Sequence, residues 1–340
     1  MGPKQKRWLW ISFGLSLVVL VAVLYVTVDA ATFQYLRELN VSFLILAISV
    51  HIAALCCWAL RIKFMSRSLG YRIGFFYCFN LVCANMLLAS ITPSNAGGEP
   101  VRIHELYKKG VSIGDASAVV IMERVLDLLV LGAGGAFFFL VLGSEWQRLG
   151  SGFSYVMYVF WVLITGFVIF LAYSVKNPGF LKRLIHTISG LFTRKWESKK
   201  IEHFAQSVDR EVDNFHRGLS DFVSHGKLGL VSGTIFTTLF WLLEFSVVSF
   251  LLLGLAQPPI FVESVIAQLI IGLIMFIPLT PGASGIAELS FTSLYGIFVN
   301  SSILGILVVL WRALLFYFNI LLGILASIVI VHREARMPPE

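Results

Sequence analysis

The stretch "ITPSNAGGEPVR", from Ile91 to Arg102, decides how this chain is read. It closes an apolar run that begins near Phe75, interrupts it at Thr92 and Pro93, passes through Gly97 and Gly98, and ends the interruption on Glu99. Proline removes a backbone donor and disfavours helix in the residue before it, while glycine adopts backbone angles closed to other residues. A second interruption of the same kind, "LTPGASGIAEL" from Leu279 to Leu289, carries Thr280, Pro281, Gly282, Gly285 and Glu288.

Composition says what surrounds these breaks. Of 340 residues, 58% are hydrophobic and 13% charged, and the mean hydropathy is +0.86; a soluble domain is usually about 25% charged. Six windows are long and apolar enough for a hydrocarbon core of about 30 Å: Trp8 to Val28, Val41 to Leu60, Ala116 to Gly143, Phe153 to Val175, Leu228 to Leu255 and Ile303 to Val331. The expected fold is an all-α polytopic membrane protein with about six full transmembrane helices, placed in the cell membrane. The net charge of +7 comes from Lys and Arg gathered at span ends, where they set topology, so nucleic acid is not an expected partner. Cys56, Cys57, Cys78 and Cys83 lie in or beside apolar stretches without metal-site spacing, so no disulfide, metal or other cofactor is expected. The first apolar segment is long and precedes "TVDAATF", a poor cleavage site, and reads as a retained span.

Charge then sets the orientation. Lys4, Lys6 and Arg7 place the amino terminus inside, and Arg61, Lys63, Arg67 and Arg72 bring the second span back to the same side. Residues 75–107 resemble another crossing, yet Arg102, Lys108 and Lys109 behind them also belong inside. A re-entrant hairpin broken at Thr92-Pro93 resolves the conflict. The same count requires residues 263–299 to be re-entrant from the outside, so that "HREAR" ends inside. The organisation expected for residues 1–340 is one membrane domain: two spans in 1–72, a hairpin plus helix in 75–143, a span in 153–175, a cytoplasmic amphipathic segment in 176–227, a span in 228–255, and a second hairpin plus helix in 263–331.

At a constant offset of 188, Thr92 meets Thr280, Pro93 meets Pro281, Gly97 meets Gly285, Tyr107 meets Tyr295, Arg124 meets Arg312 and Gly135 meets Gly323. With the opposite charge bias, this describes an inverted-topology repeat, a transporter device. Irregular backbone at membrane depth is tolerated only inside protein or beside water, so the two breaks should meet within the molecule. Their half-helix amino ends suit an anion.

Ionisable groups inside spans are costly and point to function or to paired packing. "VVIMERVLDLLV" holds Glu123, Arg124 and Asp127. Arg124 and Asp127 can pair along one helix face, whereas Glu123 and Asp127 repel if both are ionised, which calls for a proton or a partner on another helix. Arg312 has no acid within four residues, and Glu288, Glu99 and Glu244 are its candidate partners. Guanidinium groups suit carboxylate or phosphate, so Arg124 and Arg312 read either as headgroup contacts or as members of a packing network. Asn80, Asn85 and Gln268 are candidate cavity-lining groups. His51 reads as a packing histidine, with a proton relay as the sharper alternative.

"TPSNAGGEPVR", the "ERxxD" element at 123–127 and the "PxxPGxxGxxE" element of Pro278, Pro281, Gly282, Gly285 and Glu288 resemble the lysylphosphatidylglycerol synthase transmembrane-region family, over residues 8–332. Ala283 stands where that family often has a further glycine. In relatives with a fused synthase, the resemblance implies a lipid flippase, with aminoacyl transfer on a separate cytosolic domain. The chain ends at Glu340, and translocation without transferase chemistry is expected. The cargo would be a phospholipid, aminoacyl-phospholipid or polyprenyl-phosphate-linked lipid. Arg124, Arg312, Glu99, Glu288, Glu123, Asp127 and Asn85 would form the headgroup site, and membrane lipids, with a lipid-modifying enzyme or glycosyltransferase, the partners. The alternatives are an ion or solute secondary transporter and a membrane enzyme acting on lipid-linked phosphate.

Overall fold

The structure, a computed structural model, describes residues 3–92, 98–141, 227–275, 280 and 282–334, with scattered positions between 162 and 224. Pro93, Gly97 and Pro281 lie outside the described residues, as do most of the expected span 153–175 and of the amphipathic segment 176–227. The described elements are helical: α1 Pro3–Thr27, α2 Ala30–Arg37, α3 Val41–Ser68, α4 Phe75–Ser90, α5 Gly98–Lys108, α6 Ile113–Val141, α7 Lys227–Gly254, α8 Phe261–Met275, α9 Ile286–Tyr295, α10 Ser301–Arg312, a π turn over Ala313–Tyr317, and α11 Phe318–Glu334. The chain is an all-helical membrane protein with several apolar helices.

Three stretches among the described residues are long and apolar enough to cross a bilayer: α3, α7 and the continuous Ser301–Arg333. Of the six expected, the window 153–175 lies mostly outside the described residues, and the first falls in α1, bent by 112° against α2. α6 is as long, but Asp115, Glu123, Arg124 and Asp127 fall within its first half. α4 and α8, which precede the two breaks, are apolar but too short to span, at 16 and 15 residues.

Each break separates a short apolar helix from a second short helix and then a long one. α5 and α9 begin 188 residues apart, at Gly98 and Ile286, and so do α6 and α10, at Ile113 and Ser301. Arg124 and Arg312 are each the twelfth residue of their helix.

The chain divides into two compact units. One comprises residues 1–60, 75–101 and 238–340. Its core gathers Ala47 of α3, Val247, Leu251 and Leu252 of α7, and Phe291, Tyr295, Leu307 and Trp311 of α9 and α10. Phe291 stacks between Tyr295 and Trp311, with ring centroids 4.0 and 4.5 Å away. α11 lies along α4, and their closest approach is at Gly323, where an added Cβ would meet Leu87 Cβ at 2.5 Å and the Cys83 carbonyl at 2.7 Å. Small residues at such contacts let membrane helices approach. Asp29 caps α2 through the Thr32 amide at 2.9 Å and accepts a hydrogen bond from Ser302 at the start of α10.

The other unit comprises residues 61–74 and 102–237. Phe64 stacks on Phe236 with ring centroids 5.5 Å apart, and Met65 and Leu126 close over Gly233. Ser112 caps α6 through the Asp115 amide at 3.0 Å, and the Tyr71 hydroxyl donates to the Asp115 carboxylate at 2.7 Å.

Replacing Gly323 by Ala should force α4 and α11 apart and cost about 1 to 3 kcal/mol. A lowered melting temperature in detergent is the expected result. Gly272→Ala, whose new Cβ would meet nothing within 4 Å, should leave that temperature unchanged or raise it slightly.

Candidate functional site

The two breaks touch. The Gly282 amide donates to the Thr92 carbonyl at 3.2 Å, so one irregular segment satisfies the other. Glycine is needed on the second break because Gly282 and Gly285 take φ of +56° and +86°, in the left-handed region. Ala283 follows with φ of +50°, so the chain keeps the glycine-favouring backbone where the family often has a further glycine. At the first break a Cβ on Gly98 would fall 1.9 Å from Asn85 Oδ1, so only glycine lets α5 begin beside α4. Asn85 is almost fully buried, and its Oδ1, like Thr280 Oγ1 on the second break, has no hydrogen-bond partner among the described residues.

Beyond the second break a buried ion pair is assembled in the first unit. Arg312 Nε donates to Glu288 Oε1 at 2.7 Å, and Ser16 of α1 donates to the same oxygen. The Gly285 amide, at the amino end of α9, donates to Glu288 Oε2 at 2.7 Å. Tyr317 donates to Ser16 at 3.0 Å, and Ser284 lies 3.5 Å from the Arg312 guanidinium. Phe316 and Trp311 cover Arg312, with ring centroids 4.2 and 5.7 Å from Cζ. Glu288, Ser16, Ser284 and Arg312 are all buried. Of the three acids that the sequence offered Arg312, Glu288 is the one paired with it here. Glu244 is bound elsewhere, to His51, and Glu99 sits half-buried in the first turn of α5.

A second cluster lies in the other unit. Arg61 Nε donates to Glu123 Oε1 at 2.8 Å, and Arg61 Nη1 donates to Asp127 Oδ1 at 2.6 Å and to Thr237 at 3.1 Å. Arg102 Nη1 donates to Glu123 Oε2 at 2.5 Å. Arg124 reaches Asp127 Oδ2 at a looser 3.4 Å, and 31% of its side chain is exposed. The i,i+4 repulsion between Glu123 and Asp127 is therefore relieved by a partner on another helix, the bridging Arg61.

Sequence reasoning missed Arg61 and Arg102. Both had been counted among the positive charges that mark the inner membrane face, but their side chains are 1% and 0% exposed and bind the carboxylates of α6. Lys63, Arg67, Arg72, Lys108 and Lys109 still carry the orientation argument. The signal that could have found Arg61 is its depth, seven residues before the end of α3 and flanked by Leu60 and Ile62. Ser16 and Tyr317 carry no comparable signal. Gln268, expected to line a cavity, donates to the Tyr295 hydroxyl at 3.3 Å, and Ser264 shares that hydroxyl at 2.7 Å. Asn80 is half-buried on α4. No group of three metal-ligating side chains occurs among the described residues.

Removing Arg61 leaves two buried carboxylates without their common partner, a change that costs about 3 to 5 kcal/mol. Arg61→Ala should therefore lose folded yield in detergent. Arg124→Gln removes a partly exposed ion pair worth about 1 kcal/mol or less and should fold normally. Size-exclusion profiles and thermal melts of the two variants distinguish these outcomes.

The sequence pattern of the lysylphosphatidylglycerol synthase transmembrane region matches residues 9–323. A UPF0104 membrane protein of Archaeoglobus fulgidus is 32% identical over 309 residues, covering 91% of this chain and 92% of that one. UPF0104 membrane proteins of Methanocaldococcus jannaschii and Pyrococcus horikoshii are 25% and 23% identical; the matches cover 96% and 94% of this chain and 95% and 96% of theirs. No solved structure matches. With its broken helices, its buried arginine–carboxylate clusters and this match over most of its length, the chain belongs to the lysylphosphatidylglycerol synthase transmembrane-region family.

Proposed function

We propose that this protein moves a lipid with a phosphate-bearing headgroup across the cell membrane, acting as a flippase or scramblase. The observation that carries this reading is the setting of Glu288. Its carboxylate accepts from a guanidinium, from a backbone amide at a helix amino end and from a serine hydroxyl, all beside the contact between the two breaks. These are the donors that a phosphate takes. Glu288 is on this reading the internal counter-ion that holds Arg312 when no headgroup is bound, and a phosphate displaces it.

Arg124 supplies the second contact. It is the most exposed guanidinium of its cluster, while Arg61 and Arg102 neutralise the carboxylates behind it. Glu123 and Asp127 are then positioning groups. The arrangement of two broken segments at an offset of 188 supports an inverted repeat with two re-entrant hairpins, amino and carboxyl ends inside, in which each repeat carries one arginine at the same helix position. Asn85 and Thr280, with polar atoms beside the breaks not engaged by the described residues, are the neutral headgroup contacts of the first unit. Glu99, in the first turn of α5, completes the set of counter-charges.

The test is native mass spectrometry of the purified chain with its co-purifying lipids, followed by reconstituted flipping of the lipid retained. Wild type should retain a discrete phosphate-bearing lipid. Arg124→Gln, folded as predicted above, should lose it together with at least about tenfold in flipping rate, the loss expected for one charged contact of about 1.5 to 3 kcal/mol. Arg312→Lys keeps the charge but not the planar fork and should weaken retention by a similar factor. Equal, unselective lipid in wild type and both variants would end the headgroup assignment.

A further inference from the structure

His51, in the middle of α3, is completely buried, and none of the headgroup contacts uses it. Its Nδ1 lies 2.9 Å from Glu244 Oε2 of α7, and its Nε2 lies 2.9 Å from Asn319 Oδ1 of α11. The Asn319 amide nitrogen is already spent, donating to the Leu315 carbonyl at 2.8 Å. Its oxygen therefore faces His51 as an acceptor, and His51 Nε2 must carry a proton. Exactly one further proton then belongs between Nδ1 and the Glu244 carboxylate. With it, the pair is net neutral, as imidazolium with carboxylate or as imidazole with carboxylic acid.

Without that proton, an imidazole lone pair and a carboxylate oxygen face each other at 2.9 Å, and a net negative charge is left among apolar helices. That arrangement is repulsive and poorly solvated, so proton loss favours separation of α3 from α7. Glu244 is the member of the pair that reaches the protein surface, with 14% of its side chain exposed while His51 is sealed. Of the groups that face His51, Glu244 is the ionisable one; α11 contributes Asn319 and the Phe318 ring, 6.3 Å from the imidazole.

The site is joined to the headgroup arrangement through one continuous helix. Asn319 is tied to Leu315 inside the π turn, and that turn begins at the residue after Arg312. π turns recur at functional sites, where the extra residue gives a helix an alternative register. Movement of α11 with His51 thus has a direct route to the guanidinium.

We infer that His51 and Glu244 form a proton-binding site that couples transmembrane proton movement to the state of the Arg312 site. This rests on the transport reading above and names its coupling ion. In each cycle the pair releases one proton from Nδ1 or the Glu244 carboxyl to one side and takes one from the other, with no other bond made or broken.

The experiment uses the full chain in phosphatidylcholine vesicles containing a trace of fluorescent phosphatidylglycerol, with the leaflet distribution read by dithionite quenching. For one coupled proton, a gradient of one pH unit should shift the steady-state ratio of the probe between leaflets by about tenfold. Glu244→Gln and His51→Gln should abolish that shift. If wild type moves the probe but reaches the same ratio with and without a gradient, the coupling is overturned and the transport reading stands.

If wild type does not move the probe at all, transport of this headgroup fails and the proton site is judged separately. Deuterium exchange at the His51 C2 position, followed by mass spectrometry across pH, should then titrate with a midpoint that Glu244→Gln displaces. A midpoint identical in both proteins overturns the site. So does an exchange rate that shows no titration in wild type between about pH 4 and 9, the range in which a perturbed histidine changes charge, which keeps the test decisive even if the variant fails to fold.

Discussion

The hydrogen bond from the Gly282 amide to the Thr92 carbonyl is the contact on which the rest of the first unit depends. A helix broken at membrane depth exposes donors and acceptors that hydrocarbon cannot satisfy, each at a cost of several kcal/mol. Two breaks that meet solve part of the problem for one another. The meeting also determines where function can reside, because the same irregular backbone that allows the contact turns the amino end of α9 toward Glu288 and Arg312. The left-handed angles at Gly282, Ala283 and Gly285 are the local cost of that turn. A straight α8 running into α9 would have its amides bonded within the helix and would leave Arg312 without the Gly285 amide beside its counter-ion.

The twelfth residues of α6 and α10 are both arginines, and their surroundings differ. Arg312 is buried under Phe316 and Trp311 and held by one carboxylate, which is itself held by a serine and a backbone amide. Arg124 is partly exposed, and its carboxylate partner has its other oxygen bound to Arg61. The difference follows from the "ERxxD" spacing. Two acids four residues apart on α6 demand a bridging cation; Arg61 supplies it, Arg102 adds a bond to Glu123, and Arg124 reaches the second oxygen of Asp127.

Much of this was legible in the sequence. Composition gave the class, and proline and glycine at Thr92-Pro93 and at Gly282 and Gly285 gave both breaks, because backbone rules act locally. Pairing of Arg312 with Glu288 was one of three options, since no local rule ranks acids contributed by different helices. Arg61 and Arg102 were misassigned for a related reason. A basic residue near the end of a span reads the same whether it faces headgroups or turns inward, and the difference is decided by which helix packs against it. Among the described residues the one expected span that fails on composition is α6, which carries its charges because other side chains neutralise them.

The charge balance of the two arrangements bears on how an anion could be handled. In the α6 cluster Arg61 bonds both carboxylates, so a phosphate diester that takes Arg124 would leave neither Glu123 nor Asp127 without a guanidinium. Arg312 and Glu288 are already balanced. A phosphate that takes Arg312 there leaves Glu288 either as a buried unpaired carboxylate, which is costly, or protonated. On the proposed function, headgroup capture at the second arrangement would favour uptake of a proton, whereas capture at the first would not. That difference between two arginines at matching helix positions would give the device a direction, and it would require a source of protons within reach of α10 and α11.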